Sequence, residues 1–162
     1  MLKKLFMLIV AGFFLASCAA TKTEQGGDVD AASSSSSSGG EITAGTQEDL
    51  IVNVGDRVFF EFDSSELTVD AQATLDAQAA WLMQYPDTNI TVEGHADERG
   101  TREYNLALGD KRAFSVYSYL AQAGIDTNRM EYVSWGKERP EVIGSDETAY
   151  SQNRRGVTIV SN

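Results

Sequence analysis

Past residue 56, apolar positions follow two periods in turn. Arg57 to Phe62 reads Arg-Val-Phe-Phe-Glu-Phe, rich in aromatic and branched side chains, and predicts a strand that Asp63-Ser64-Ser65 ends. Thr68 has the chemistry of a helix N-cap, and Ala71, Leu75, Ala79 and Leu82 recur at helical spacing as far as Tyr85, before Pro86. Ile90-Thr91-Val92-Glu93 alternates, as a strand with one buried face does. A second helix is expected to begin at Thr101 to Glu103. Leu106, Ala113, Val116, Tyr117 and Leu120 would share one side of it, with Gly124 as its stop. Met130 to Trp135 predicts a third strand and Gly156 to Val160 the last. Between them, Pro140 to Asn153 is turn-rich with one short helical turn near Glu147 to Gln152. Strands alternating with helices predict an α/β sandwich with crossover connections.

The first residues follow a different pattern. Lys3 and Lys4 precede an apolar run, Leu5 to Leu15, too short to span a bilayer comfortably and shaped like the core of a secretory signal. Leu15-Ala16-Ser17-Cys18 resembles the lipobox of bacterial lipoproteins. That resemblance implies a signal peptide over 1–17, cleavage before Cys18 and a lipid on its sulfur. Ala19, where an aspartate marks inner-membrane retention in enterobacterial lipoproteins, implies the outer membrane. Cys18 is the only cysteine, so no internal disulfide forms.

Residues 18–55 read as a flexible tether. Ser33 to Ser38 are six serines in a row between Gly26-Gly27 and Gly39-Gly40, and the stretch lacks the apolar side chains that offset ordering entropy. As a Gly/Ser-rich coil it would span about 30–37 Å on average. One domain, 56–162, follows.

Charge narrows the partners. The chain carries 24 acidic against 13 basic residues, a net charge of −11. It has no basic footprint for nucleic acid. Its candidate chemistry lies in Gly94-His95-Ala96-Asp97-Glu98-Arg99-Gly100 and the helix after it. There Asp97, just beyond a strand, precedes Arg112 by fifteen positions. An anion and a cation on neighbouring rigid elements suit a ligand end that carries both an ammonium and a carboxylate. Either residue could instead be structural: Asp97 a turn cap, and Arg112 the partner of Asp97 or Asp110 on a solvated face. His95 is the only histidine, which argues against a zinc site, and no nucleophile-elbow pattern accompanies it. These patterns favour binding over catalysis. The enzymatic alternative is a peptidoglycan hydrolase pairing Glu93 with Asp97 or Glu98. The other alternative is an envelope adaptor that binds only proteins.

Five segments carry a family resemblance: Val58-Phe59-Phe60-Glu61-Phe62-Asp63-Ser64, Val92 to Gly100, Tyr104-Asn105 to Leu108, Lys111-Arg112-Ala113, and Asn153-Arg154-Arg155. In order and spacing they resemble the OmpA-like, peptidoglycan-associating domain. The lipobox, the tether and Ser134-Trp135-Gly136-Lys137-Glu138-Arg139-Pro140 resemble the lipid-anchored branch of that family, which works in the Tol–Pal system. The resemblance implies a βαβαβ-β domain with a four-stranded mixed sheet and two main helices. It implies a non-enzymatic protein with no cofactor beyond the lipid on Cys18. The ligand it implies is the diaminopimelate residue of the peptidoglycan stem peptide, with Tol-system partners that include a periplasmic β-propeller. Carried over residue by residue, Asp97 would accept the ammonium and Arg112 would clamp the carboxylate. Phe62 and Asp63 would offer backbone N–H groups, Leu108 would wall the alkyl chain, and Asn105 would hold the loop or touch the peptide. Strand alternation allows only one of Arg154 and Arg155 to reach the site, and Arg154 is favoured.

Overall fold

The computed structural model describes residues 42–161, so the leader, Cys18 and the serine run lie outside the described residues. Nine elements follow in order: α1 (Gln47–Asn53), β1 (Arg57–Phe59), α2 (Val69–Gln84), β2 (Ile90–His95), α3 (Arg102–Gln122), a 3-10 turn (Thr127–Arg129), β3 (Met130–Gly136), α4 (Glu147–Asn153) and β4 (Arg155–Val160). The strands form one mixed sheet in the order β1-β4-β2-β3. β4 lies antiparallel between β1 and β2, and β2 pairs with β3 in parallel through the α3 crossover.

Most of the periodic reading holds. Thr68 caps α2, its hydroxyl accepting from the Ala71 N–H at 3.1 Å, and Ala71, Leu75, Ala79 and Leu82 are all buried in the core. Ala113, Val116 and Leu120 of α3 join them. Leu106 does not: it is 42 % exposed. Asn105, Gly109 and Arg112 occupy the inward stripe at that end of α3 and turn Leu106 onto the flank.

Two boundaries differ from expectation. The tether was to run to Gly55, but Gln47–Asn53 is a helix that belongs to the domain. Leu50 is fully buried, and Asp49 accepts from Trp81 Nε1 at 2.9 Å and Asn53 Nδ2 at 2.7 Å. Gln47 splices onto β4, accepting from the Val160 N–H at 2.6 Å and donating to the Thr158 carbonyl at 3.2 Å. The first strand was to reach Phe62 but ends at Phe59. After one more sheet bond, from Phe60 N–H to the Arg154 carbonyl at 2.9 Å, the chain turns and Asp63 adopts a left-handed φ of 53°.

α3 lies unusually close to the sheet, and glycines allow it. A Cβ on Gly94 would stand 1.9 Å from the Gly109 carbonyl oxygen, and one on Gly109 would stand 2.4 Å from Ser134 Oγ. That closeness sets the height at which Asn105, Leu108 and Arg112 meet the end of β2. Gly94→Ala is therefore expected to cost several kcal/mol, since the clash is with backbone and the helix must lift. Urea denaturation would show a lower midpoint; an unchanged midpoint would mean α3 is free to move.

The sheet face away from α2 and α3 carries a mesh of charges. Arg57 and Arg155 reach Glu141 at 3.0 and 3.4 Å, Arg139 reaches Glu93 at 3.7 Å, and the Arg139 guanidinium lies 3.3 Å from the Trp135 ring centroid. Buried His95 adjoins it, with Nε2 3.4 Å from Glu93. Burial first, and then the charge of Arg155, push the His95 pKa down to about 4. The native state therefore holds His95 neutral, while the unfolded chain binds a proton below about 6.5. Stability from this residue is complete above pH 6.5 and is lost as pH falls toward 4. Thermal melts across that window should show a falling midpoint, with a shallower slope in His95→Asn.

Candidate functional site

The turn between β2 and α3 begins where Asp97 leaves the sheet. Asp97 Oδ1 accepts from the Arg99 backbone N–H at 3.1 Å, which closes a tight Asx turn. Gly100, at φ 91°, turns the chain into α3, where Thr101 caps the helix. Other elements hold the outward carbonyls of this turn. Asn105 Nδ2 donates to the Arg99 carbonyl at 2.8 Å, and Lys137 Nζ donates to the Glu98 and Gly100 carbonyls at 3.1 and 2.7 Å. Asn105 thus holds the loop, one of its two expected roles.

A cleft of about 180 Å³ opens beside the turn, lined by Phe62, Asp63, Asp97, Arg99, Gly100, Tyr104, Asn105, Leu108 and Arg112. It is smaller than the ~300 Å³ at which pockets for whole drug-sized molecules begin, so it suits an end group. Asp97 is only 5 % exposed. Burial tends to raise its pKa, but bonds from Arg99 outweigh that, and the carboxyl sits below its ordinary value. Leu108 supplies an apolar wall. Asp63 accepts a short hydrogen bond from the Tyr104 hydroxyl, which ties the β1–α2 turn to α3.

Arg112 does not form the surface ion pair offered as its structural alternative. It is neither on a solvated face nor paired with Asp97 or Asp110. It is fully buried, and its fork donates to three backbone carbonyls: Nε to Ser64 at 2.8 Å, Nη1 to His95 at 2.8 Å and Nη2 to Glu61 at 3.1 Å. Burial pulls its pKa down to about 10. A guanidinium has five N–H groups, and Arg112 is also among the residues that line the cleft. Arg112 joins the β1–α2 loop to the end of β2, the two segments that frame the cleft.

Alternation separates the last arginines as expected. Arg154 turns toward Asp97, with Nη1 at 3.6 Å, while Arg155 joins the mesh on the open face. Arg154 backs Asp97 without lining the cleft. It is buried, bonded to the Phe60 carbonyl at 3.0 Å and to Glu147 at 2.7 Å. Glu93 belongs to the open-face mesh, so the carboxylate pair of the hydrolase alternative is not gathered in the cleft.

Sequence reasoning missed Arg99, Tyr104, Tyr150 and Glu147. Arg99 had one usable signal, its position two residues after Asp97 in a turn. Tyr150 and Glu147 had none, because α4 reaches the site only through the tertiary fold.

Known proteins resemble the chain in sequence and structure. A profile described as the OmpA family matches residues 59–154. A peptidoglycan-associated lipoprotein of Rhizobium meliloti (strain 1021) is 49 % identical over 152 residues, covering 94 % of this chain and 84 % of the relative. The crystal structure of the peptidoglycan-associated lipoprotein from Burkholderia pseudomallei superposes with a TM-score of 0.64 at 43 % identity, covering 65 % of this chain and 90 % of that one. The C-terminal domain of Helicobacter pylori MotB, 24 % identical with a TM-score of 0.60 over 66 % of this chain and 86 % of that one, shares the fold. The chain belongs to the OmpA family and, within it, to the peptidoglycan-associated lipoproteins.

Proposed function

We propose that this protein is an outer-membrane lipoprotein whose periplasmic domain binds the diaminopimelate residue of the peptidoglycan stem peptide without covalent chemistry. One observation carries the reading: a buried, ionised Asp97 stands in a small cleft that Arg112 also lines. The far carbon of diaminopimelate bears an ammonium for the first and a carboxylate for the second. Leu108 walls the methylene chain between. The lipid on Cys18 and the tether make this binding a link between membrane and wall. Affinity at one site can be modest, because many copies above a repetitive polymer act together.

In this role the protein needs no cofactor beyond its lipid and breaks no bond. Tol-system proteins, a periplasmic β-propeller among them, are its proposed partners, and competition for the same cleft would let cell-division machinery release the tether.

Co-sedimentation of the protein with isolated peptidoglycan tests the reading. The protein should pellet, a soluble diaminopimelate tripeptide should release it, and Asp97→Ala should stay in solution. Pelleting that neither the tripeptide nor the substitution changes would leave a protein-binding adaptor as the better account.

A further inference from the structure

A side chain of the protein itself fills the seat at Asp97 that a ligand cation would need. Both Asp97 oxygens accept from Arg99, Nε to Oδ1 at 3.1 Å and Nη2 to Oδ2 at 2.6 Å. The Arg99 guanidinium also lies between two aromatic rings, 4.2 Å from the centroids of Phe62 and Tyr150. Its remaining nitrogen, Nη1, is 3.5 Å from Glu147, and that carboxylate already holds Arg154 at 2.7 Å.

An ammonium reaching Asp97 therefore competes with Arg99 for the carboxylate. The displaced guanidinium gives up two charge-assisted bonds, which water at its 35 % exposed side chain replaces only in part, so another anion suits it better. Glu147 is a poor substitute, being two-thirds exposed and shared with Arg154. A ligand whose ammonium and carboxylate share one carbon solves the problem itself. Its ammonium takes Asp97 while its carboxylate, on the same carbon, accepts from Arg99, which can keep its place between the rings. A ligand ending in an ammonium alone takes Asp97 and strands Arg99.

We propose that Arg99 is a specificity-determining residue: it holds the cation seat of Asp97 and yields it only to an end group that returns a carboxylate in exchange. This rests on the reading of the cleft as a site for a zwitterionic end. It assigns Arg99 a part in rejecting the wrong ligand, beside any part Arg112 has in holding the right one. Such discrimination works by leaving a protein charge unpaired in the wrong complex.

Calorimetric titration of the full chain in detergent tests this, using two stem peptides that differ only in carrying diaminopimelate or lysine at the third position. The wild type should prefer the diaminopimelate peptide. Arg99→Gln, which keeps a polar side chain in the stack but removes its charge, should bind the lysine peptide more tightly than the wild type does. The preference should narrow about tenfold, the effect of relieving one unpaired charge. Tyr150→Leu, which removes one wall of the stack without touching Asp97, should narrow it by a smaller factor. If both variants weaken the two peptides equally, or leave their ratio unchanged, Arg99 only shapes the turn and the proposal fails. Asp97→Asn separates that failure from failure of the site reading. If it loses both peptides, the cleft stands as the binding site whatever Arg99 does; if it binds both as the wild type does, the site reading falls as well.

Discussion

Arg112→Met is expected to destabilise the domain by about 3–5 kcal/mol, the usual range for removing one partner from a buried charged network. The side chain fills its space well enough, so packing is not the main loss. What disappears is the donor set of the Ser64, Glu61 and His95 carbonyls, which come from the β1–α2 loop and the end of β2 and meet at this guanidinium. Arg112→Lys should recover little, because one ammonium cannot reproduce the planar fork that reaches three carbonyls. Urea denaturation followed by far-UV circular dichroism measures both. If Arg112→Met unfolds at the wild-type midpoint, those carbonyls have other partners and the central place given to Arg112 is wrong. A peptide-binding defect in this variant would not by itself prove contact with the ligand, since the cleft is built on the same three bonds.

Asp97→Asn is the cleaner probe of binding. It keeps the size of the side chain and an oxygen for the Arg99 backbone N–H, so the turn should survive. Arg154 keeps Glu147 at 2.7 Å, which limits the loss of stability. The ligand ammonium loses a buried counter-charge, and affinity for a diaminopimelate peptide should fall about 100-fold or more, roughly 3 kcal/mol. The pH dependence follows from the sign of the Asp97 shift. Its pKa lies below the ordinary value, so the carboxylate stays ionised through pH 5 and protonation removes it only in stronger acid. Peptide affinity should therefore be nearly flat from pH 7 to 5. A steep loss near pH 5 would point to a different acceptor.

Much of this architecture could be read from the pattern of apolar residues, for reasons that particular elements make plain. α2 declares itself because Thr68 caps it and its stripe faces a continuous core, so propensity and burial agree. α1 does not. It is seven residues long, next to a serine-rich run, and its contribution is one buried leucine and an aspartate whose partner, Trp81, is 32 positions away. Leu106 misleads for the opposite reason. Its spacing fits the core stripe, but glycine, asparagine and arginine hold the inner face of α3 so that the helix can approach the sheet. In the site, local motif chemistry was legible: Asp97 in a turn, Asn105 beside it, and the parting of Arg154 from Arg155 by strand alternation, though Arg154 backs Asp97 and does not line the cleft as expected. The burial of Arg112 was not, because it depends on a distant loop and the end of β2 presenting carbonyls to one point. Nor was the arrangement around Arg99, which needs Phe62 from one loop and Tyr150 from α4.

The most direct test of the central claim is an NMR titration of the isotopically labelled protein with a diaminopimelate tripeptide, following backbone amides residue by residue. The account predicts saturable shifts confined to the turn from Asp97 to Gly100, to Phe62 and Asp63, and to Asn105 and Leu108 at the start of α3, with the Arg99 side-chain Nε–H among the largest. Shifts clustered on the open sheet face around Glu93 and Arg139, or none at ligand excess with the domain folded, would contradict it.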